Sequence, residues 1–261
     1  MRDEIVFLGT ASGLPNADRL PSAILVRFAG ATVLLDCGES CAHTLKGRGE
    51  DFDAIDAVFV SHSHLDHIGG LPTLLHAMRF ERRRRPLALF LPRRAIRPLR
   101  AWLRHLLIDE RRFGYRIAWR GISTRTPARI DRVGVTAFRT THLDAARLRW
   151  GPRHVDLSFD AYAFLLEAKG RRLAYSGDLG GAADLEPLLA RPLEVLIAEA
   201  AHVDAAQLAG VLAGKAVKRV LITHVAREAR AAGEGRVPGG RGRAAVIEGG
   251  VVVGDGEIIG F

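Results

Sequence analysis

Residues 60–72 read Val60-Ser61-His62-Ser63-His64-Leu65-Asp66-His67-Ile68-Gly69-Gly70-Leu71-Pro72. Three histidines and an aspartate fall within six positions. The preceding run, Ile55 to Val60, is apolar and β-branched enough to be a buried strand. The four groups therefore sit at the C-terminal end of a strand, on the turn into a helix. His62 and His64 are two apart, so an extended backbone points them to one side. Asp66 and His67 follow where the chain begins to coil, and address a second point a few ångströms away. Imidazole and carboxylate at this density suit a divalent metal.

Outward from this stretch, more such residues recur at strand ends. Val133 to Arg139 reads as a strand and runs into His142. Arg172 to Tyr175 ends in Ser176-Gly177-Asp178, and Val217 to Thr223 ends at His224. Strand ends of one sandwich converge on one edge, and a carboxylate can bridge two cations. One site is therefore assigned to His62, His64, His142 and Asp178, and a second to Asp66, His67, Asp178 and His224. The absence of thiolate favours Zn²⁺, with Mn²⁺ or Fe as alternatives. Two such metals can share a hydroxide that acts as the nucleophile. Asp66 is placed to take the proton from the water that gives this hydroxide, and His202, which opens the segment returning to His224, to protonate the leaving group. His43, His76, His105 and His154 fit no ligand slot. Asp36, at a strand end beneath the His loop, is read as orienting a ligand.

The pattern His-x-His-x-Asp-His resembles the signature of metallo-β-lactamase-fold hydrolases. That resemblance implies an α/β fold: a four-layer αββα sandwich, two mixed β-sheets face to face with helices outside. Phe7-Leu8-Gly9-Thr10, Gly13, Pro15 and Leu35-Asp36-Cys37-Gly38-Glu39 are similar to the opening of the ribonuclease Z group. His202, an Ala-rich helix and Lys218 to His224 are similar to its closing segment. There the histidine matching His202 is implicated in protonating the leaving oxygen. Ala17 stands where that group has a lysine of its RNA-holding loop, although Pro15 and Arg19 match. Only 35 residues separate His142 from Asp178, too few for a long tRNA-gripping arm.

The remaining elements read as follows. Glu4 to Thr10, Ser22 to Phe28 and Thr32 to Leu35 are strands, the last two joined at Ala29-Gly30. Leu71 to Phe80 is a helix, and Glu81 to Pro86 a solvated corner. Pro92 to Ile108 forms an amphipathic helix with arginines on one face. Asp144 to Asp160 is irregular, Asp184 to Ala190 a short helix, and Asp204 a helix cap. Ala226 to Arg243 reads as a mobile Gly- and Arg-rich loop. The whole chain, 1–261, is expected to be one domain.

The net charge is +9, carried almost wholly by arginine. This favours an anionic substrate, an RNA or nucleotide phosphodiester. Two cysteines make no disulfide framework. No apolar stretch approaches a membrane span, and Met1-Arg2-Asp3-Glu4 leads straight into a strand. The expectation is a cytoplasmic protein, with a homodimer left open by the resemblance. The leading function is a dinuclear metal phosphodiesterase. The alternatives are a metal-dependent carboxyl-type hydrolase of a lactone, thioester or lactam, and a basic nucleic-acid-binding protein with a vestigial metal site.

Overall fold

The computed structural model describes residues 2–15, 17–225, 236–239, 243–246 and 250–261. The chain begins with strands β1 (Glu4–Gly9), β2 (Ala23–Phe28) and β3 (Ala31–Leu35). Helix α1 (Cys41–Gly47) precedes β4 (Ala57–Phe59). Helices α2 (Leu65–Ile68) and α3 (Leu71–Phe80) follow, then β5 (Leu87–Leu91), α4 (Ile96–His105) and β6 (Ile117–Gly121). The second half opens with β7 (Ala128–Ile130), β8 (Val133–Thr140), α5 (Asp144–Trp150), β9 (Ala161–Ala168) and β10 (Arg171–Tyr175). It continues with β11 (Leu193–Glu199), α6 (Ala205–Leu212) and β12 (Val217–Thr223). It closes with β13 (Arg236–Gly239), β14 (Arg243–Val246), β15 (Gly250–Val252) and β16 (Ile258–Gly260).

Fourteen of these strands build two mixed sheets of seven, ordered β16-β1-β2-β3-β4-β5-β6 and β15-β12-β11-β10-β9-β8-β7, while β13 and β14 pair antiparallel with each other. Alternation along the strands explains the layers. Ile5 and Phe7 of β1 point into the core between the sheets, and Val6 and Leu8 point outward beneath the helices. A third apolar layer, containing Leu165, Leu196 and Leu208, lies on the far side of the second sheet. Three apolar interfaces separate four layers, so the central strands are buried on both faces and read as near-continuous apolar runs. The αββα sandwich is as expected.

Several local expectations are met. Ala29 and Gly30 both have positive φ, 49° and 93°, as a two-residue hairpin turn needs. The α3 and β12 bounds match those expected from the sequence. Asp204 caps α6 with a reciprocal capping box to Gln207.

Others are corrected. The corner 81–86 is not simply solvated. Arg83 is buried, and its guanidinium donates to the carbonyls of Phe52, Ile55, Arg85 and Pro86. Residues 144–150 form helix α5 rather than irregular chain; the helix buries no residue, so no apolar stripe announces it. Pro187 lies between two short 3₁₀ turns where one helix was expected. Strands β7 and β16, each three residues, escaped the pattern reading. The expected mobile loop at Ala226–Arg243 falls largely outside the described residues. Among the described residues, no helix is long and apolar enough to cross a membrane.

Candidate metal centre

Topology brings the candidate ligands together. β8 and β10 are each antiparallel to β9, and β10, β11 and β12 run parallel. Four strands thus end at the same edge, where His142, Asp178, Glu199 and His224 follow or finish them. In the other sheet β3 and β4 are parallel, which brings Asp36 and His62 to their shared end. His64 is extended, and Asp66 and His67 lie on α2. The backbones meet closely here. A Cβ on Gly70 would lie 2.0 Å from the Gly38 carbonyl oxygen. Gly177 has φ 53°, and a Cβ there would lie 2.5 Å from Tyr162 O.

All seven expected ligands converge. The donor atoms of His62, His64, His142 and Asp178 lie within 4.8 Å of one another, as do those of Asp66, His67 and His224. Asp178 divides its oxygens between the two groups. Its Oδ2 is 3.6 Å from both His62 Nε2 and His142 Nε2. Its Oδ1 is 3.2 Å from His67 Nε2 and 3.4 Å from His224 Nε2. Asp66 Oδ2 stands 3.3 Å from His67 Nε2, and His142 Nε2 lies 3.3 Å from His64 Nδ1.

Hydrogen bonds behind the candidate ligands set their tautomers. The Ser61 hydroxyl donates to Asp36 Oδ2, so His62 Nδ1, 3.0 Å away, donates to Ser61 Oγ. His224 Nδ1 is 2.8 Å from Ser22 Oγ, which faces the Ala11 carbonyl. His67 Nδ1 donates to Asp36 Oδ2 at 2.7 Å. Each arrangement turns inward an unprotonated Nε2, whose lone pair is free to bind a cation. Asp36 also accepts from Tyr175 O–H and Ser61 N–H. Asp36 and His224 are both held at positive φ, 59° and 52°, backbone strain of the kind that gathers at functional sites.

The residues fit a cation pair by an independent criterion. His62 Nε2, His67 Nε2, His224 Nε2 and Asp178 Oδ1 are buried and satisfied by no hydrogen bond. Four orphaned polar atoms at one point would be costly unless something else engages them. Their protonation agrees. Burial pushes the pKa of His62, His64 and His224 down, and that of His142 to about 4. Burial works to raise Asp178, but the imidazoles of His67 and His224 hold it well below the usual carboxylate range. Asp66 is likewise held down by His67 against its burial. Neutral imidazoles and ionised carboxylates are the forms that bind metal. His67 differs. Burial lowers its pKa, yet the Asp178 and Asp36 carboxylates outweigh that and raise it. A cation would displace that proton.

His202 joins the cluster, with Nδ1 3.7 Å from Asp178 Oδ2. Its partner Glu199 was not anticipated. Glu199 is buried, accepts the backbone N–H groups of Leu179, Ala201 and His202, and lies 3.2 Å from His202 Nδ1. This contact raises the His202 pKa. A charged residue ending the apolar run Leu193 to Glu199 was the available signal. His43, His76, His105 and His154 lie outside these groups. Arg19 donates to Thr10 Oγ1 and Val253 O, both at 2.6 Å, so it ties the first strand to the closing segment.

Comparison with known proteins adds the following. A family profile described as Anti-Pycsar protein Apyc1 matches residues 3–203. The ribonuclease Z of Archaeoglobus fulgidus is 33% identical over 140 residues, covering 54% of this chain and 44% of that protein. The chain thus aligns with less than half the length of this curated relative. The metallo-β-lactamase-fold protein YhfI from Bacillus subtilis superposes with a TM-score of 0.71 at 18% identity, covering 99% of this chain and 100% of that one. Human tRNase Z, short form, gives 0.71 at 21% identity, with 98% of each chain covered.

Proposed function

This chain belongs to the Anti-Pycsar protein Apyc1 family, and from that premise we propose that it is a metal-dependent phosphodiesterase acting on a cyclic nucleotide. The observation that carries the reading is Asp178, whose two oxygens face two separate groups of imidazole nitrogens, with His62 Nε2 in one and His67 Nε2 and His224 Nε2 in the other buried without a hydrogen-bond partner. His62, His64, His142 and Asp178 would hold one divalent cation, and Asp66, His67, Asp178 and His224 the other. Nitrogen and oxygen ligands without thiolate favour Zn²⁺, with Mn²⁺ or Fe as alternatives. A cation pair supplies Lewis-acid polarisation of the phosphoryl group and activation of water.

The protein's own residues do the rest. Asp66, kept ionised, accepts the proton of the attacking water. His202, whose pKa the Glu199 carboxylate raises, donates to the leaving ester oxygen. The outer hydrogen bonds of Asp36, Ser61 and Ser22 hold the imidazoles so that little reorganisation is needed.

Three features favour a small cyclic phosphodiester over a tRNA 3′ end. Ala17 replaces a lysine of the RNA-holding loop, Arg19 is engaged internally, and the span between His142 and Asp178 holds only α5, a turn and the β9–β10 hairpin. The test is a substrate panel on protein of measured metal content. It comprises cyclic nucleotide monophosphates, bis(p-nitrophenyl) phosphate, single-stranded RNA and p-nitrophenyl carboxyl esters. Turnover of a cyclic nucleotide that is lost on chelation and in His64→Ala supports the reading. Turnover confined to the carboxyl esters would replace it with a carboxyl hydrolase.

A further inference from the structure

Positive charge is not spread over this protein. Fourteen arginines and three acids fall between residues 79 and 120, so that stretch carries +11 against +9 for the whole chain. The remainder is slightly acidic. A composition effect acting on the whole sequence would not concentrate the charge in one segment. In the fold this segment is the end of α3, β5, α4 and β6, and β6 is the last strand of its sheet.

The segment encloses a groove of about 460 Å³ between α4 and the chain around β6. Its walls carry Arg97, Arg100, Arg104 and Arg111, and its floor includes Phe113 and Trp119. Arg97, Arg100 and Arg104 follow helical spacing, so they line one face of α4 over two turns, about 10 Å. Two acids also line the groove, and both are engaged. Asp109 accepts from Arg111, and Glu110 accepts from Arg100 and from Trp119 Nε1. The Arg100 guanidinium lies 5.5 Å from the Trp119 ring centroid. Arg97 and Arg104 are exposed and make no ion pair among the described residues. No residue of the metal centre lines this groove.

We propose that this groove binds single-stranded nucleic acid, as a site separate from the metal centre and independent of its reaction. Arginine walls match a phosphate backbone, and a recessed aromatic and aliphatic floor matches unstacked bases. A flat anionic bilayer meets the walls but not the floor. It would instead engage Trp102, Leu106 and Leu107, which are exposed at the C-terminal end of α4.

The test uses the metal-loaded full chain and fluorescein-labelled oligouridine and oligothymidine of about 15 nucleotides. Anisotropy is followed between about 50 and 200 mM salt. The expected result is binding that weakens steeply with salt. The double variant Arg97→Glu/Arg104→Glu should lose about tenfold or more in affinity and flatten the salt slope. Its melting temperature and its turnover of bis(p-nitrophenyl) phosphate should be unchanged. No oligonucleotide binding at the lowest salt would overturn the proposal. So would equal binding by the double variant, or capture by phosphatidylserine vesicles in place of the oligonucleotides. The binding readout requires no catalysis, so it stands or falls apart from the phosphodiesterase reading.

Discussion

Asp36 Oδ2 accepts the Nδ1–H of His67 at 2.7 Å, and His67 Nε2 then faces Asp178 Oδ1 at 3.2 Å. The carboxylate fixes both the ring plane and the nitrogen left to bind a cation. Asp36→Asn keeps the shape but removes the charge. It is expected to lower metal affinity by about 10- to 100-fold. The loss should fall on the group containing His67. Competition with a chromophoric chelator measures it, and unchanged affinity for both equivalents would refute the orienting role.

The two groups differ in shelter. In the Asp66 group, His67 and His224 are buried, and each is oriented from behind by Asp36 or Ser22. In the other, His64 is the most open to solvent of the four although its ring is partly desolvated, and among the described residues only His62 has a hydroxyl behind it. Metal removal is therefore expected in two phases, the His64 site emptying first. Metal content followed along a chelator series should show one equivalent leaving well before the second. Simultaneous loss of both would contradict the asymmetry.

Glu199 raises the pKa of His202, so its imidazolium persists to higher pH than an ordinary histidine. A step that needs this proton slows as pH rises through that pKa. Glu199→Gln should move the alkaline limb of the kcat/KM profile to lower pH and leave activity at acid pH less affected. His202→Ala should cost about 10²- to 10⁴-fold on an alkoxide leaving group. It should cost far less on p-nitrophenolate, which needs no proton. Equal losses on both would remove His202 from the acid role.

Arg83 reaches the carbonyls of Ile55 at 2.7 Å, Arg85 at 2.8 Å and Pro86 at 2.9 Å, and also that of Phe52. Arg83→Met leaves these buried acceptors unsatisfied, at about 1–3 kcal/mol for each that water cannot reach. A net loss of about 3 kcal/mol lowers Tm by roughly 6–12 °C for a chain of this size. Thermal unfolding with and without the substitution measures it. Activity well below Tm should be retained, because Arg83 touches no candidate ligand.

What was legible in the sequence follows from what leaves a periodic or positional trace. His62, His64, His142, Asp178 and His224 could be grouped because each follows an apolar run, and parallel strands end together. The layers were legible because Ile5 to Leu8 and Ala161 to Leu166 are apolar on both faces. Glu199 was missed because it reads as the end of a buried strand, and only the turn that follows folds His202, three residues on, back against it. Ser22 and Tyr175 were missed because serine and tyrosine at strand positions look ordinary until a long-range contact gives them a role, 202 residues away for Ser22 and 139 for Tyr175. Helix α5 left no trace because it buries nothing.

The same burial makes metal-free protein acid-sensitive. His62, His64, His142 and His224 have folded pKa values below the ordinary value near 6.5. As pH falls below 6.5, the unfolded chain takes up these protons before the folded one does. Stability therefore declines with falling pH, for His142 down to about 4. Asp66 and Asp178 have lowered values, so they add stability above the carboxylate range and lose it only at still lower pH. His67 and His202 act in the opposite sense. Their raised values stabilise the fold below 6.5, and that contribution fades as pH rises through them. Four lowered imidazoles outweigh two raised ones, so the chelated protein should melt at a lower temperature at pH 5 than at pH 7. Saturating Zn²⁺ should raise Tm at pH 7 by mass action and protect less at pH 5, where protons compete for the same nitrogens. Scanning fluorimetry across pH, with and without chelator, reads both effects. A chelated protein equally stable at pH 5 and 7 would show that these histidines do not remain neutral in the fold.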